Sequence, residues 1–265
     1  MGTPVESLKI SSSKSQFDAN AGNYANSSVH RFGASLPMML NLADPNKSDV
    51  VLDVATGTGN IALAFAPLVS RVTGIDMSPK MLEQAKTRAT TEHILNAEFF
   101  EGDAENLPFP DSSFTIVTSR HAPHHFHDVP KFLSEVARVL KSGGRFIMSD
   151  QIVIHIKDQD WVNTFQRIRD PSHFLQRRVT QWQDLMNDAG LIWVKDQLVP
   201  YKLEFDWWVN ASGCTPEQIQ TLAKMAFEAE QSRRTRLNLE FGADGQISGF
   251  LEPMLVVKLE KPKHR

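Results

Sequence analysis

Val50-Val51-Leu52-Asp53-Val54-Ala55-Thr56-Gly57-Thr58-Gly59-Asn60-Ile61-Ala62 is the stretch that decides the fold. A continuous apolar run, Val50 to Leu52, suits a strand buried on both faces. A glycine-rich turn follows and leads into an Ala-rich helical segment. Glycines at a strand-to-helix turn let the backbone approach a ligand closely and aim helix N-terminal amides at it.

The same alternation continues downstream. Arg71 to Ile75 reads as a second strand, and Ser78-Pro79 supplies an N-cap with proline at the first helical position. Ala97 to Phe100 and Phe114 to Thr118 read as the third and fourth strands. Asp128 caps a helix over Val129 to Leu140, Ser142-Gly143-Gly144 is expected to stop it, and Phe146 to Met148 is a fifth strand. Strands separated by helices need right-handed crossovers, which build a parallel sheet covered on both faces. After Asp150 the pattern changes. Helices are expected near Asp160 to Arg169, Thr180 to Asp188 and after the Thr215-Pro216 cap, with strands at Leu191 to Val194 and Met254 to Leu259 and a turn at Asp244-Gly245. In front, residues 1–16 read as a mobile arm, while Phe17, Ala21 and Tyr24 share one face of a short helix and Leu36 to Leu42 forms another.

Composition excludes several classes. The 265 residues carry 28 basic and 31 acidic side chains, a net charge of -3, which argues against nucleic acid as a partner. With 41% hydrophobic and 22% charged residues the chain supports a sizeable core. The lone Cys214 forms no internal disulfide, and no apolar run approaches the roughly 20 residues of a membrane span. A cytoplasmic protein is the expectation.

Gly57-Thr58-Gly59-Asn60-Ile61-Ala62 matches the G-x-G-x-x-A pattern of dinucleotide sites, with Asp76 at about the spacing of a ribose-binding acid. Against that reading, Asp53 lies four residues before Gly57, where an acid crowds a pyrophosphate but favours an ammonium group. Gly102-Asp103-Ala104 adds another acid after the third strand. Carboxylates along one crevice suit a sulfonium-bearing nucleoside better than a dianionic dinucleotide.

These segments, with Val72 to Ser78, Gly102 to Phe109 and Leu140 to Gly144, resemble the class I S-adenosylmethionine-dependent methyltransferases over residues 48–152. Within that class the chain is most similar to the small-molecule branch around the ubiquinone/menaquinone-biosynthesis C-methyltransferases. The expected fold is α/β and Rossmann-like: a doubly wound, mostly parallel seven-stranded sheet with an antiparallel C-terminal strand and a helical lid insertion. The division is a mobile arm at 1–16, cap helices over 17–47 and a methyltransferase domain over 48–265, with cover segments near 155–189 and 205–236.

The resemblance implies S-adenosyl-L-methionine as cofactor. Gly57 and Gly59 would pass under its methionine and ribose, Asp76 would hold the ribose hydroxyls, and Met77 would lie against the adenine. Asp103 and the Ala104 amide would face the adenine edge, Asp53 would orient the loop and the ammonium group, and Tyr24 and Ser119 would complete the cofactor side. Ala55 stands where the family usually has its first glycine, and its methyl is tolerated if the backbone keeps a negative φ. Ser119-Arg120-His121-Ala122-Pro123-His124-His125-Phe126-His127 follows the fourth strand, facing the ligand crevice. His121 is the first choice for a base or acceptor-positioning residue, with Arg120 beside it. His124, His125, Arg169, His173, Trp207 and Trp208 are candidate acceptor-binding residues. No metal site is expected, because no cysteine or carboxylate stands at ligand spacing near these histidines. The acceptor is a small, largely apolar or aromatic molecule methylated on oxygen, carbon or nitrogen. Alternatives are an S-adenosylmethionine-bound enzyme that does not methylate, such as a cyclase, and a nicotinamide-dependent oxidoreductase. Oligomeric state is open.

Overall fold

In the computed structural model, residues 33–263 are described, together with Lys14, Ser15, Asp18 and Gly22. Most of the expected arm, and the helical face of Phe17, Ala21 and Tyr24, lie outside the described residues. Helix α1 (Ser35–Ala43) comes first, then β1 (Val50–Val54) and α2 (Asn60–Phe65). β2 (Arg71–Asp76), α3 (Pro79–Thr91), β3 (Ala97–Glu101), β4 (Phe114–Arg120), α4 (Val129–Val139) and β5 (Leu140–Gln151) complete the alternating half. The Ser78 and Asp128 side chains cap α3 and α4 by accepting from the Met81 and Lys131 amides.

The strands β1 to β5 run parallel in the order β3-β2-β1-β4-β5. The second half adds α5 (Gln159–Arg169), α6 (Val179–Asp188), β6 (Ile192–Glu204), α7 (Phe205–Ala211), α8 (Pro216–Phe227), α9 (Gln231–Arg236), β7 (Glu240–Phe241) and β8 (Ile247–Glu260). β8 inserts between β5 and β6, antiparallel to both, and the two-residue β7 pairs with it as an eighth strand. The fold is therefore the expected doubly wound, mostly parallel sheet with an antiparallel C-terminal strand, with eight strands rather than the expected seven because the short β7 pairs with β8. Neighbouring residues of one strand feed opposite faces: Val51, Ile116, Ile147 and Val256 join the core under α1, α2 and α3, whereas Leu52, Val117, Phe146 and Leu255 join the core under α4 and α6.

Two local expectations are corrected. Helix α4 stops at Val139, before the glycine pair, and Gly143 instead bends the start of β5 at φ +73°, its amide donating to Lys261 O. β6 and β8 are far longer than expected. They pair from Ile192↔Glu260 to Glu204↔Gly249, and their ends carry Tyr201 and Glu252 beyond the body of the sheet. Polar residues such as Lys195 to Gln197 hid this extension, since β6 is an edge strand with much of its length solvated.

Helix α1 is fastened at its C-terminal end by Arg145, which forms a part-buried ion pair with Asp49. Arg145 Nη2 reaches both carboxylate oxygens of Asp49 at 2.7 Å, and Nη1 donates to Asp44 O at 2.8 Å. Asp49 also accepts from Asn46, and these hydrogen bonds with Arg145 hold its pKa below the usual carboxylate value against the opposing effect of burial. Asp49→Ala is expected to cost about 2 kcal/mol, because it removes the charged hydrogen bonds of the part-buried Arg145. Urea unfolding would measure this, and a loss under about 1 kcal/mol would mean that apolar contacts alone hold α1.

Candidate active site

Strand order reverses at β1, so the carboxyl ends of β1 and β4 open a crevice there. The loop after β1 enters the left-handed region at Ala55 (φ +54°), Gly57 (+53°) and Gly59 (+79°), the last as N-cap of α2. The condition set for Ala55 is thus not met. Its methyl sits on a left-handed backbone, the conformation that explains why glycine is usual there.

Two carboxylates hold this strained loop. Asp53 Oδ2 accepts from Thr56 Oγ1 at 2.6 Å and its Oδ1 from Thr118 Oγ1 at 2.7 Å, joining the loop to β4. Asp76 accepts from the Gly57 amide at 2.8 Å and from the Ser78 amide at 2.9 Å, joining the loop to the end of β2. Asp53 is 2% and Asp76 8% exposed. Burial pushes each carboxyl up to about 6, against the pull of these hydrogen bonds.

Asp103 accepts from the Glu105 amide at 2.9 Å. Glu105 Oε1 in turn accepts from the His127 and Asp128 amides at 2.8 and 2.9 Å. This carboxylate, not singled out from the sequence, ties the loop after β3 to the segment after β4. Together these groups line a cleft of about 1170 Å³, open mouth included, with Ala55, Gly57, Met77, Ala104 and Met81 along its walls.

The lining fits S-adenosylmethionine. Acceptor-only carboxylates face positions suited to hydroxyls, an amino group and a cation, and Asp53 and Asp76 each retain lone pairs beyond their two hydrogen bonds. A pyrophosphate would need the loop amides, and the Gly57 amide is already given to Asp76.

At the β4 end of the cleft stand Arg120, His121, Ala122, His125 and Phe126. Arg120 is buried, and its Nε donates to Ser35 Oγ at 2.8 Å. Burial holds its guanidinium below the ordinary value. Tyr201 Oη donates to the same Ser35 Oγ at 2.9 Å and accepts from the Ser35 amide at 2.8 Å. His121 Nε2 lies 3.5 Å from Ser35 Oγ, with its ring edge-on to Tyr201 at 6.0 Å. His121 also has φ +54°, a second strained non-glycine residue in the cleft. Ser35 and Tyr201 lay beyond sequence reasoning, since they reach Arg120 from α1 and from the extension of β6.

Other expected residues lie elsewhere. Ser119 is fully buried and does not line the cleft. His124 is buried, its Nδ1 2.6 Å from Asp150 Oδ1. Desolvation drives His124 well down and Asp150 up to about 8, so near neutrality the pair favours an uncharged imidazole beside a protonated carboxyl. His173 hydrogen-bonds Asn163 Oδ1 at 2.8 Å, and burial holds its imidazole far below its usual value. Trp208 is packed in the core against Phe165 and Phe250, with Trp207 partly buried against that core. Arg169 lies over the Trp208 ring at 4.9 Å. The tertiary fold brings Asp150 to His124, which had no carboxylate at ligand spacing in the sequence. Even so, among the described residues no group of three or more His, Cys, Asp or Glu side chains is placed to hold a metal ion.

The strained loop yields a stability prediction. Ala55→Gly relieves about 1–2 kcal/mol of left-handed strain and gives back about 0.4–1 kcal/mol through greater freedom of the unfolded chain. A net gain of about 0.5 kcal/mol in urea unfolding is expected, and a loss above about 1 kcal/mol would show that the methyl packs favourably instead.

Comparison with known proteins agrees with this geometry. A family described as "Methyltransferase domain" matches residues 52–148. The protein named "Uncharacterized methyltransferase YcgJ" from Bacillus subtilis is 34% identical over 251 residues, covering 92% of this chain and 98% of that one. Its crystal structure superposes with a TM-score of 0.84 at 33% identity, over 87% of this chain and 99% of that one. A putative methyltransferase from Bacillus halodurans gives a TM-score of 0.85 at 29% identity, over 87% of this chain and 100% of that one. The ubiquinone/menaquinone biosynthesis C-methyltransferase UbiE of Zymomonas mobilis is 40% identical over 107 residues, 40% of this chain and 44% of that one. The chain belongs to the class I S-adenosylmethionine-dependent methyltransferases, and S-adenosyl-L-methionine is its cofactor.

Proposed function

We propose that this enzyme methylates an oxygen, carbon or nitrogen of a small, largely apolar or aromatic molecule in the cytoplasm. The observation that carries the reading is the β4 end of the cleft, where apolar Ala122 and Phe126 stand beside Arg120, His121 and His125. Such a wall suits an apolar body with one polar reacting edge. The partial similarity to UbiE supports an activated ring as acceptor. Among the described residues no helix is long and apolar enough to cross a membrane.

The cofactor supplies a methyl group on a positively charged sulfur. The carboxylates Asp53, Asp76 and Asp103 orient it, so that much of the rate comes from holding the acceptor in line. Where the acceptor must lose a proton, His121 takes it, steadied by Ser35 and the Tyr201 ring. His125 is the second imidazole in the cleft, its Nδ1 3.0 Å from Ser172 O and 3.1 Å from Ser172 Oγ. Ser172 Oγ donates to Asp170 at 2.6 Å, and Asp170 stays below the usual carboxylate range through nearby His125, Arg169 and Ser172 despite burial.

Incubation with methyl-labelled cofactor and a panel of quinols, phenols and amines tests the reading. Products heavier by one methyl are expected for ring acceptors, and folded, cofactor-bound enzyme inert toward the whole panel would defeat it. Asp76→Ala is expected to weaken cofactor binding at least tenfold, about 1.5 kcal/mol for a lost charged hydrogen bond. His121→Ala should leave that affinity nearly unchanged and lower kcat by about 10²-fold. Equal affinities in both variants and the parent would refute this division of roles.

The raised carboxyls also predict a pH dependence. In the free protein Asp53 and Asp76 bind protons more tightly than in the unfolded chain. Their contribution to stability is therefore full below the ordinary value of 3.8 and lost as pH rises through about 6. A cationic cofactor favours the ionised carboxylates, so its affinity should rise about tenfold between pH 5 and 7. Calorimetric titration giving a flat profile would contradict it.

A further inference from the structure

A second cavity, about 830 Å³ with its mouth included, shares no lining residue with the cofactor cleft. It is built by the segment after β5, by α5, by the projecting ends of β6 and β8, and by the chain after α9. Its walls are mainly apolar, with Trp161, Val162, Phe165, Leu239 and Phe250 among them. Ile154 lines it and is 48% exposed, which puts an apolar rim at the solvent side.

Among the polar lining residues, Gln176 and Glu252 offer acceptor oxygens, while the Gln166 amide and the Arg236 guanidinium are already given to Glu252 and Asp158. Gln176 is 1% exposed, and its Nε2 donates to Ile152 O at 2.7 Å, which fixes the orientation of the amide. Its Oε1 is buried and receives no hydrogen bond. Leaving a buried carbonyl oxygen unpaired is unfavourable, so a donor entering the cavity would be rewarded. Glu252 is also buried, with Oε1 accepting from Gln166 Nε2. Desolvation pushes its carboxyl up to about 7. The cations near the mouth are engaged with each other's counter-ion: Arg236 reaches Asp158 at 2.6 and 2.7 Å, and Arg233 reaches it at 3.0 Å.

We propose that this cavity is a ligand site, separate from the cofactor cleft, for a small aromatic molecule carrying one hydrogen-bond donor such as a hydroxyl. The apolar walls take the ring, and Gln176 Oε1 and Glu252 take the donor. This inference does not rest on the identity of the methyl acceptor. A failed binding test leaves the methylation reading standing, and the reverse also holds.

The test uses the full chain saturated with S-adenosylhomocysteine, with 2-naphthol as probe and 2-methoxynaphthalene as the control that lacks the donor. Calorimetry should find a saturable site for 2-naphthol, distinct from any phenol binding at the acceptor end of the cofactor cleft, at which the methyl ether is at least tenfold weaker. Gln176→Met should abolish that preference. Leu239→Trp, at a partly exposed wall, should block the cavity and remove this 2-naphthol site while S-adenosylhomocysteine binds as in the parent. It therefore decides the matter if Gln176→Met does not fold. Absent binding, displacement of 2-naphthol by S-adenosylhomocysteine, equal affinity for the ether, or undiminished binding to Leu239→Trp would each overturn the proposal.

Discussion

Two carboxylates withdrawn from water at the ends of β1 and β2 hold a loop that would not otherwise keep its shape. Ala55, Gly57 and Gly59 all lie at positive φ, and for alanine that conformation is unfavourable by about 1–2 kcal/mol. Asp53 and Asp76 offset the strain by accepting from Thr56, Thr118 and the Gly57 and Ser78 amides. The same burial that raises their protonation also makes them respond strongly to a cation, since charge interactions strengthen as water is excluded. One interaction set thus shapes the loop and selects the sign of charge that the cleft accepts.

The opposite wall is assembled from distant pieces of chain. Arg120 from the end of β4, His121 just after it and Tyr201 from the extension of β6 converge on the hydroxyl oxygen of Ser35 from α1. Arg145, held by Asp49, donates to Asp44 O at the C-terminal end of α1, and the buried Met39, Leu42 and Ala43 seat the helix whose first turn carries Ser35. His121 holds a left-handed backbone there, and such strain persists only where surrounding structure over-determines it.

Much of the parallel half was legible because its signals are local. Val51 to Val54 is buried in β1 as its apolar pattern indicated, and the caps at Ser78, Asp128 and Thr215 all form. The reading failed where partners are distant. The glycine pair at Gly143 serves a contact with Lys261 rather than a helix stop, and the length of β6 follows from its pairing with β8 some fifty residues later. Trp208, which the sequence leaves open between core and a lid over the acceptor, is core, because Phe165 and Phe250 cover it.

The chain's sequence by itself determined the doubly wound sheet, its glycine loop and the acids at successive strand ends, because each depends on residues a few positions apart. Tertiary structure alone decided that Ala55 and His121 stand at positive φ and that His124 lies buried against Asp150 rather than in the cleft. It also decided that Ser35 and Tyr201 complete the Arg120 wall and that Gln176 and Glu252 share a separate cavity. These depend on which distant side chains exclude water together, and no spacing along the chain encodes that.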